Sequence, residues 1–270
     1  MAVSDKQFTG SIPEIYDRLL VPLIFEPYAR DLVERLAKIK PRDILETAAG
    51  TGVLTRAMAS RLPPHARIMA TDLNQPMLDR AAARQPRNDR IAWRQADALD
   101  LPFEDGEFDV VACQFGAMFF PDKVRGYREA RRVLKPGGHF LFNVWDQISE
   151  NEFAHSITET LATLFPKDPP YFLVRTPHGY HDVKKIHEQL IAAGFASISV
   201  QTLDATSRAS SPHDPAIAYC QGTPLRNEIE ARDSSRLDDA TQKSAEALAR
   251  RFGTGPIEGR IRAHVITAVR

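Results

Sequence analysis

The chain has 270 residues, with 35 Lys plus Arg against 35 Asp plus Glu, so its formal net charge is zero. That balance offers no net basic character for DNA or RNA, and no stretch reaches the roughly 18 consecutive apolar residues of a membrane span. Two distant cysteines, Cys113 and Cys220, make neither a disulfide framework nor a metal motif. With no basic segment and apolar core at the N-terminus, these features suggest a cytoplasmic chain with one large domain, 1–270.

Residues 1–40 read as a helical cap. Ser11 precedes Ile12-Pro13-Glu14 as a capping pattern, and Tyr28, Leu32, Val33, Leu36 and Ala37 share one helical face. Pro22 and Pro27 should break this region into short pieces. An alternation follows over residues 43–205. Strand candidates are Asp43–Ala49, Arg67–Leu73, Ile91–Asp97, Phe108–Phe115, His139–Asp146 and Ser197–Leu203. Between them lie amphipathic helices, one introduced by Asn74, one by Asp122 and one by Asp182. Lys135-Pro136-Gly137-Gly138 should stop the helix ahead of the fifth strand. Residues 260–270 read as a terminal strand. Residues 206–259 are polar and charged; a lid, an accessory scaffold and a homodimer contact are all open readings.

Strands separated by helices imply right-handed crossovers and a mostly parallel sheet covered on both faces, an α/β three-layer sandwich. The apolar runs of the fourth and fifth strands fit double burial. In such sheets ligands bind beyond the carboxyl ends of the strands. Glu46, Asp72, Asp97 and Gln114 all fall at or near such ends.

The first strand runs into Glu46-Thr47-Ala48-Ala49-Gly50-Thr51-Gly52. Gly50 and Gly52 allow close approach to a ligand. A dinucleotide loop would carry a third Gly for tight helix–strand packing; here that position is Thr55. The loop suits a smaller adenosine-bearing ligand better than a pyrophosphate. Asp72 can accept hydrogen bonds from both ribose hydroxyls, and Asp97, followed by Ala98, from an adenine amino group. Glu46 either meets a ligand's cationic end or braces the loop.

Four ordered stretches, ETAAGTG, ATDLNQPMLDRA, RQADALDLPFEDGEFDVVACQFGAMFF and RRVLKPGGHFLF, resemble the motifs of class I S-adenosylmethionine-dependent methyltransferases. The nearest flavour is the type 11 small-molecule group that includes the ubiquinone and menaquinone biosynthesis enzymes. The resemblance covers roughly Asp43–Trp145. The group usually shows Gly where this chain has Ala48 or Ala49. The resemblance implies a seven-stranded Rossmann-like fold with N-terminal helices and a helical insertion before the last strand. It implies Glu46, Gly50 and Gly52 around the methionine moiety, Asp72 on the ribose and Leu73 against the adenine. It also implies Asp97 and Ala98 at the adenine edge, Gln114 beside the sulfonium, and a cap carrying Phe8 and Tyr16 over the cofactor.

Methyl transfer from a sulfonium is an in-line displacement driven by alignment and exclusion of water. A general base is needed only where the acceptor must lose a proton. The weak candidates are His178, His181 and Tyr16. Tyr16, Met118, Phe119 and Tyr180 are candidates for lining an acceptor pocket. His178 and His181 lack the further Cys or His ligands of a metal site. A small, partly apolar acceptor fits the aromatic loop and the absence of net charge. A nicotinamide-dependent oxidoreductase and a non-catalytic adenosine-ligand protein are the competing readings.

Overall fold

A computed structural model describes Phe8 and residues 10–270; the rest of the 1–40 cap expectation, residues 1–7 and 9, lies outside the described residues. Helix α1 (Ile12–Ile15), a π-helical run (Tyr16–Phe25) and α2 (Glu26–Ile39) follow without an intervening loop. The prolines therefore do not break the region. Pro22 lies inside the π-helical run, where its missing N–H removes one bond and the helix continues in a wider register. Pro27, the second residue of α2, likewise withholds one N–H from this continuous helical stretch without ending it. Ser11 makes no side-chain cap; its hydroxyl instead accepts from Arg226 at 2.6 Å.

Next come β1 (Asp43–Glu46), α3 (Val53–Arg61), β2 (Arg67–Asp72), α4 (Gln75–Arg84), β3 (Ile91–Gln95), β4 (Phe108–Gln114) and α5 (Lys123–Val133). Then follow β5 (Leu134–Trp145), α6 (Glu152–Leu164), α7 (Phe172–Arg175), α8 (Val183–Ala192) and β6 (Ser197–Ala209). The chain ends with α9 (His213–Gln221), α10 (Leu225–Arg232), α11 (Leu237–Phe252) and β7 (Ile257–Val269). The sheet has seven strands in the order β3-β2-β1-β4-β5-β7-β6. β1 pairs in parallel with β2 and β4, β2 with β3, and β4 with β5. β7 runs the other way: Gly137 donates to Arg270 O and Asp146 to Arg262 O, at 3.1 Å each. β6 and β7 are longer than expected and pair as an antiparallel hairpin, with Thr202 opposite His264, Asp204 opposite Arg262 and Arg208 opposite Glu258.

The chain divides into two compact units. The first holds Phe8 and residues 10–25, Trp145–Tyr180 and Asp204–Arg262; the second holds Glu26–Val144, His181–Leu203 and Ala263–Arg270. In the second unit, β5 shows why both sheet faces are covered. Leu141 joins Leu32, Leu36, Leu54, Met58, Ile68 and Val110 in the core against α2 and α3. Its neighbours Phe140 and Phe142 point the opposite way. They stack at 4.7 Å, with Tyr127 of α5 at 5.3 Å from Phe142 and Phe195 at 5.9 Å from Phe140. The basic run of α5 ties this layer down. Arg125, Arg128 and Arg131 donate to the carbonyls of Leu99, Ala192 and Gly194, and Lys135 bridges Asp43 and Asp109.

In the first unit, α9, α10 and α11, which occupy most of residues 206–259, pack among themselves and with the π-helical run and α6. Gly259 leaves room for Phe153, whose ring would lie 2.7 Å from an added Cβ. Ser207 donates to Leu23 O at 2.8 Å.

Candidate active site

The strand order reverses between β1 and β4, so the loops that follow these two strands flank the switch point, where ligands bind in open α/β sheets. The β1 loop is wound in the left-handed region at Ala48 (φ 53°), Gly50 (φ 56°) and Gly52 (φ 78°). Gly52 is packed tightly: an added Cβ would lie 3.0 Å from Ala81 Cβ and 3.2 Å from the Trp93 ring. Ala48 pays the steric cost of this conformation with its methyl group, about 1 kcal/mol relative to Gly. The β4 loop makes room for that methyl: a Cβ on Gly116 would meet Ala48 Cβ at 2.4 Å and Cys113 Sγ at 2.8 Å. Phe115 is also left-handed (φ 51°). Its N–H is held by Asn143 Oδ1 at 3.0 Å, and its ring lies edge-on to Tyr28 at 5.4 Å. Strain of this kind clusters at ligand sites.

Asp72 ends β2 and is buried. Its Oδ2 accepts from Gly50 N and its Oδ1 from Asn74 N, both at 2.8 Å. Asn74 thus donates to Asp72 and makes no side-chain cap of its own helix. A third, longer bond reaches Oδ1 from Asn74 Nδ2 at 3.4 Å, and the Leu73 backbone also donates to the carboxylate; with about four acceptor sites on a carboxylate, a diol would take the place of these weaker partners. Burial pushes the Asp72 pKa up, while the bonds from Asn74 and Gly50 oppose the shift. Beside it Leu73 is 43% exposed, an apolar side chain at the strand tip with a free face; Gln95 holds its carbonyl at 2.8 Å. β3 ends before Asp97, which lies in the following turn and accepts from Leu99 N at 2.9 Å. Asp97 is exposed and Ala98 half-buried. Gln114 closes β4 and is buried. Met118 is buried and Phe119 half-buried in the turn beyond it, and Lys123 Nζ bonds Met118 O at 2.8 Å.

Glu46 is 1% exposed, and its Oε2 accepts from Thr55 Oγ1 at 2.5 Å. Burial is the largest influence and raises its pKa to about 8, against the opposing pull of Thr55 and Arg56. Thr55, in the sequence only a missing glycine, is the residue that sequence reasoning overlooked. An acid nine residues before a hydroxyl on the first helical turn was the available signal. Asn143 left no such signal, because its bond depends on the conformation of Phe115.

His181 lies in the second unit, half-buried, beside Asp182, which caps α8 through Lys184 N and Lys185 N. Tyr16, His178 and Tyr180 belong to the first unit. There a run of rings connects Phe8 to Tyr16 (5.9 Å), Tyr16 to Phe25 (5.2 Å), Phe25 to Trp145 (5.9 Å) and Trp145 to His178 (6.1 Å). His178 Nδ1 lies 2.8 Å from Asp146 O. A carbonyl only accepts, so the Nδ1 proton is fixed and a neutral ring would present Nε2 as its acceptor. Among the described residues no group of three or more His, Cys, Asp or Glu could hold a metal ion, and no helix is long and apolar enough to cross a membrane.

The glycine-bearing loop, its bond to a buried Asp72 and the exposed Leu73 fit an adenosine-bearing ligand at the switch point of a Rossmann-like sheet. The arrangement is that of an S-adenosylmethionine-dependent methyltransferase. Residues 45–142 match a family model described as a methyltransferase domain. A demethylmenaquinone methyltransferase of Clavibacter sepedonicus is 30% identical over 179 residues, 63% of this chain and 72% of that protein. The chain belongs to the type 11 family of S-adenosylmethionine-dependent methyltransferases, with S-adenosylmethionine as its cofactor. Among solved structures, a candidate methyltransferase of Bacillus halodurans superposes with a TM-score of 0.55 at 20% identity, covering 89% of this chain and 97% of that one. A [4+2]-cyclase superposes with a TM-score of 0.53 at 19% identity, covering 91% and 81%. These likenesses concern the fold, which does not by itself fix the reaction.

Proposed function

We propose that the chain methylates a ring carbon of a small, partly apolar hydroquinone-type acceptor by in-line displacement. The observation that carries the cofactor half of this reading is the Asp72 bond to Gly50 N, which joins the ends of β1 and β2 into one cradle. The acceptor half is supported by the similarity to proteins named demethylmenaquinone methyltransferases.

S-adenosylmethionine, when bound, supplies a methyl group on a positively charged sulfur that is already activated for displacement. The protein's work is then alignment and exclusion of water. Gly50 and Gly52 would let the loop backbone approach the methionine moiety, Asp72 would hold the ribose and Leu73 the adenine face. Asp97 and Ala98 would stand at the adenine edge and Gln114 near the sulfur. Met118 and Phe119 would offer apolar surface to an acceptor. A ring carbon made nucleophilic by a neighbouring hydroxyl needs a base for that proton. His178, His181 and Tyr16 are the groups to substitute in the search for it.

The test is transfer of isotope-labelled methyl from S-adenosylmethionine to a panel of naphthoquinols, phenols and amines. Label is expected on a naphthoquinol ring carbon. Cofactor binding with no label in any acceptor would place the chain with non-methylating users of this fold. NAD binding without S-adenosylmethionine binding would overturn the reading altogether.

A further inference from the structure

Glu46 stands out among the buried titratable groups. It ends β1 directly beneath the cofactor loop and is removed from solvent. A buried carboxylate normally has a cation or several N–H donors. Glu46 has the Thr55 hydroxyl on Oε2 and a bond from the Thr55 backbone. The charged and titratable groups that face it come from three elements. Arg56 of α3 favours its charged form, Asp72 of β2 disfavours it, and Cys113 of β4 lies within electrostatic reach of it. Arg56 donates an Nη to Thr51 O at 2.5 Å. Burial outweighs all of these.

A ligand that brings its own cation would change this balance. S-adenosylmethionine and S-adenosylhomocysteine both end in an amino acid whose ammonium is positive at neutral pH. We propose that Glu46 carries a proton in the ligand-free loop and releases it to solvent as that ammonium enters, so that the loop selects ligands by the cation they bring. The exchange balances: a neutral carboxylic acid and an ammonium become a carboxylate–ammonium pair and one proton in the buffer. Thr55 is a positioning residue here, because its hydroxyl donates to the carboxylate and lowers the cost of ionisation. The proposal rests on the methyltransferase reading, but it concerns a step that reading does not require.

The ligand-free protein should already show the proton. A folded-state pKa near 8, raised above the usual carboxylate value, stabilises the fold fully below about pH 4.5. That contribution is lost as pH rises toward 8. Glu46→Gln removes it, so stability should fall with pH in the parent and less so in the variant.

Calorimetric titration with S-adenosylhomocysteine, in buffers of different ionisation heat, tests the exchange. At pH 6.5 the parent should release close to one proton per ligand, and its affinity should rise about tenfold per pH unit below pH 7.5. 5′-Methylthioadenosine, which lacks the amino-acid end, should bind with no proton release. Glu46→Gln should bind S-adenosylhomocysteine with no release and a flat pH profile. Thr55→Val should move the rise in affinity to higher pH, whereas Thr55→Ser should behave as the parent. S-adenosylhomocysteine binding without proton release overturns the proposal and leaves the methyltransferase reading standing. Equal release from 5′-methylthioadenosine, or undiminished release from Glu46→Gln, also overturns it. Failure of every adenosine ligand to bind overturns both.

Discussion

The two units differ in where they place backbone strain. In the second, three left-handed residues carry side chains that disfavour that conformation: Lys40, just past α2, and Ala48 and Phe115. Ala48 and Phe115 lie in the loops after β1 and β4, and a hydrogen bond from Phe115 N to Asn143 or a matched vacancy at Gly116 holds them there. In the first unit, the left-handed residues among those described are Gly10 and Gly253, and an added Cβ on either would touch nothing within 4 Å. Two of the second unit's three strained side chains thus fall in the loops that flank the switch point, and strain of this kind clusters at ligand sites.

Asp72→Ala should break this contrast most visibly. It removes the acceptor of Gly50 N and Asn74 N, two charge-assisted bonds of about 1.5–3 kcal/mol each. Part of that loss falls on folding, so affinity for S-adenosylhomocysteine should drop about 100-fold by calorimetry. Unchanged affinity would mean that the cradle does not meet the ligand. A paired glycine substitution comes next in size. Gly52→Ala adds a methyl at φ 78° against Ala81 and Trp93, and Gly253→Ala adds one at φ 107° in open space. Both incur backbone strain of about 1 kcal/mol or more, and only the first adds overpacking of about 1–3 kcal/mol. Urea denaturation should rank them in that order; equal losses would erase the distinction between the two turns. The smallest effect belongs to the first unit's hairpin. The Arg208–Glu258 pair is 67% and 63% exposed, and Arg208→Ala should cost less than about 0.5 kcal/mol.

What could be read without coordinates follows the same division. β4 and β5 are buried on both faces, so they appear as apolar runs with acids and glycines at their tips. Asp72 stood out because it ends such a run. The sheet and the cofactor class were legible for that reason. Local rules failed where a tertiary partner replaced a local one. Ser11 and Asn74 have the chemistry of helix caps, but Arg226 holds the first and Asp72 accepts from the backbone of the second. Pro22 reads as a breaker, yet it lies inside a π-helical run. β6 continues to Ala209 because edge residues that read as polar loop pair with β7. Thr55 was visible only as the absence of glycine, because its role depends on a buried acid nine positions earlier.

Ala48 and Gly116 carry a consequence for which substitutions these two loops can accept. The contact between them has room for one methyl group. Alanine at 116 is accommodated better beside glycine at 48, and Cys113 Sγ, 2.8 Å from the same added Cβ, keeps that exchange incomplete. The two positions, far apart along the chain, are thus sterically coupled, and a methyl gained at one is a methyl the other must give up.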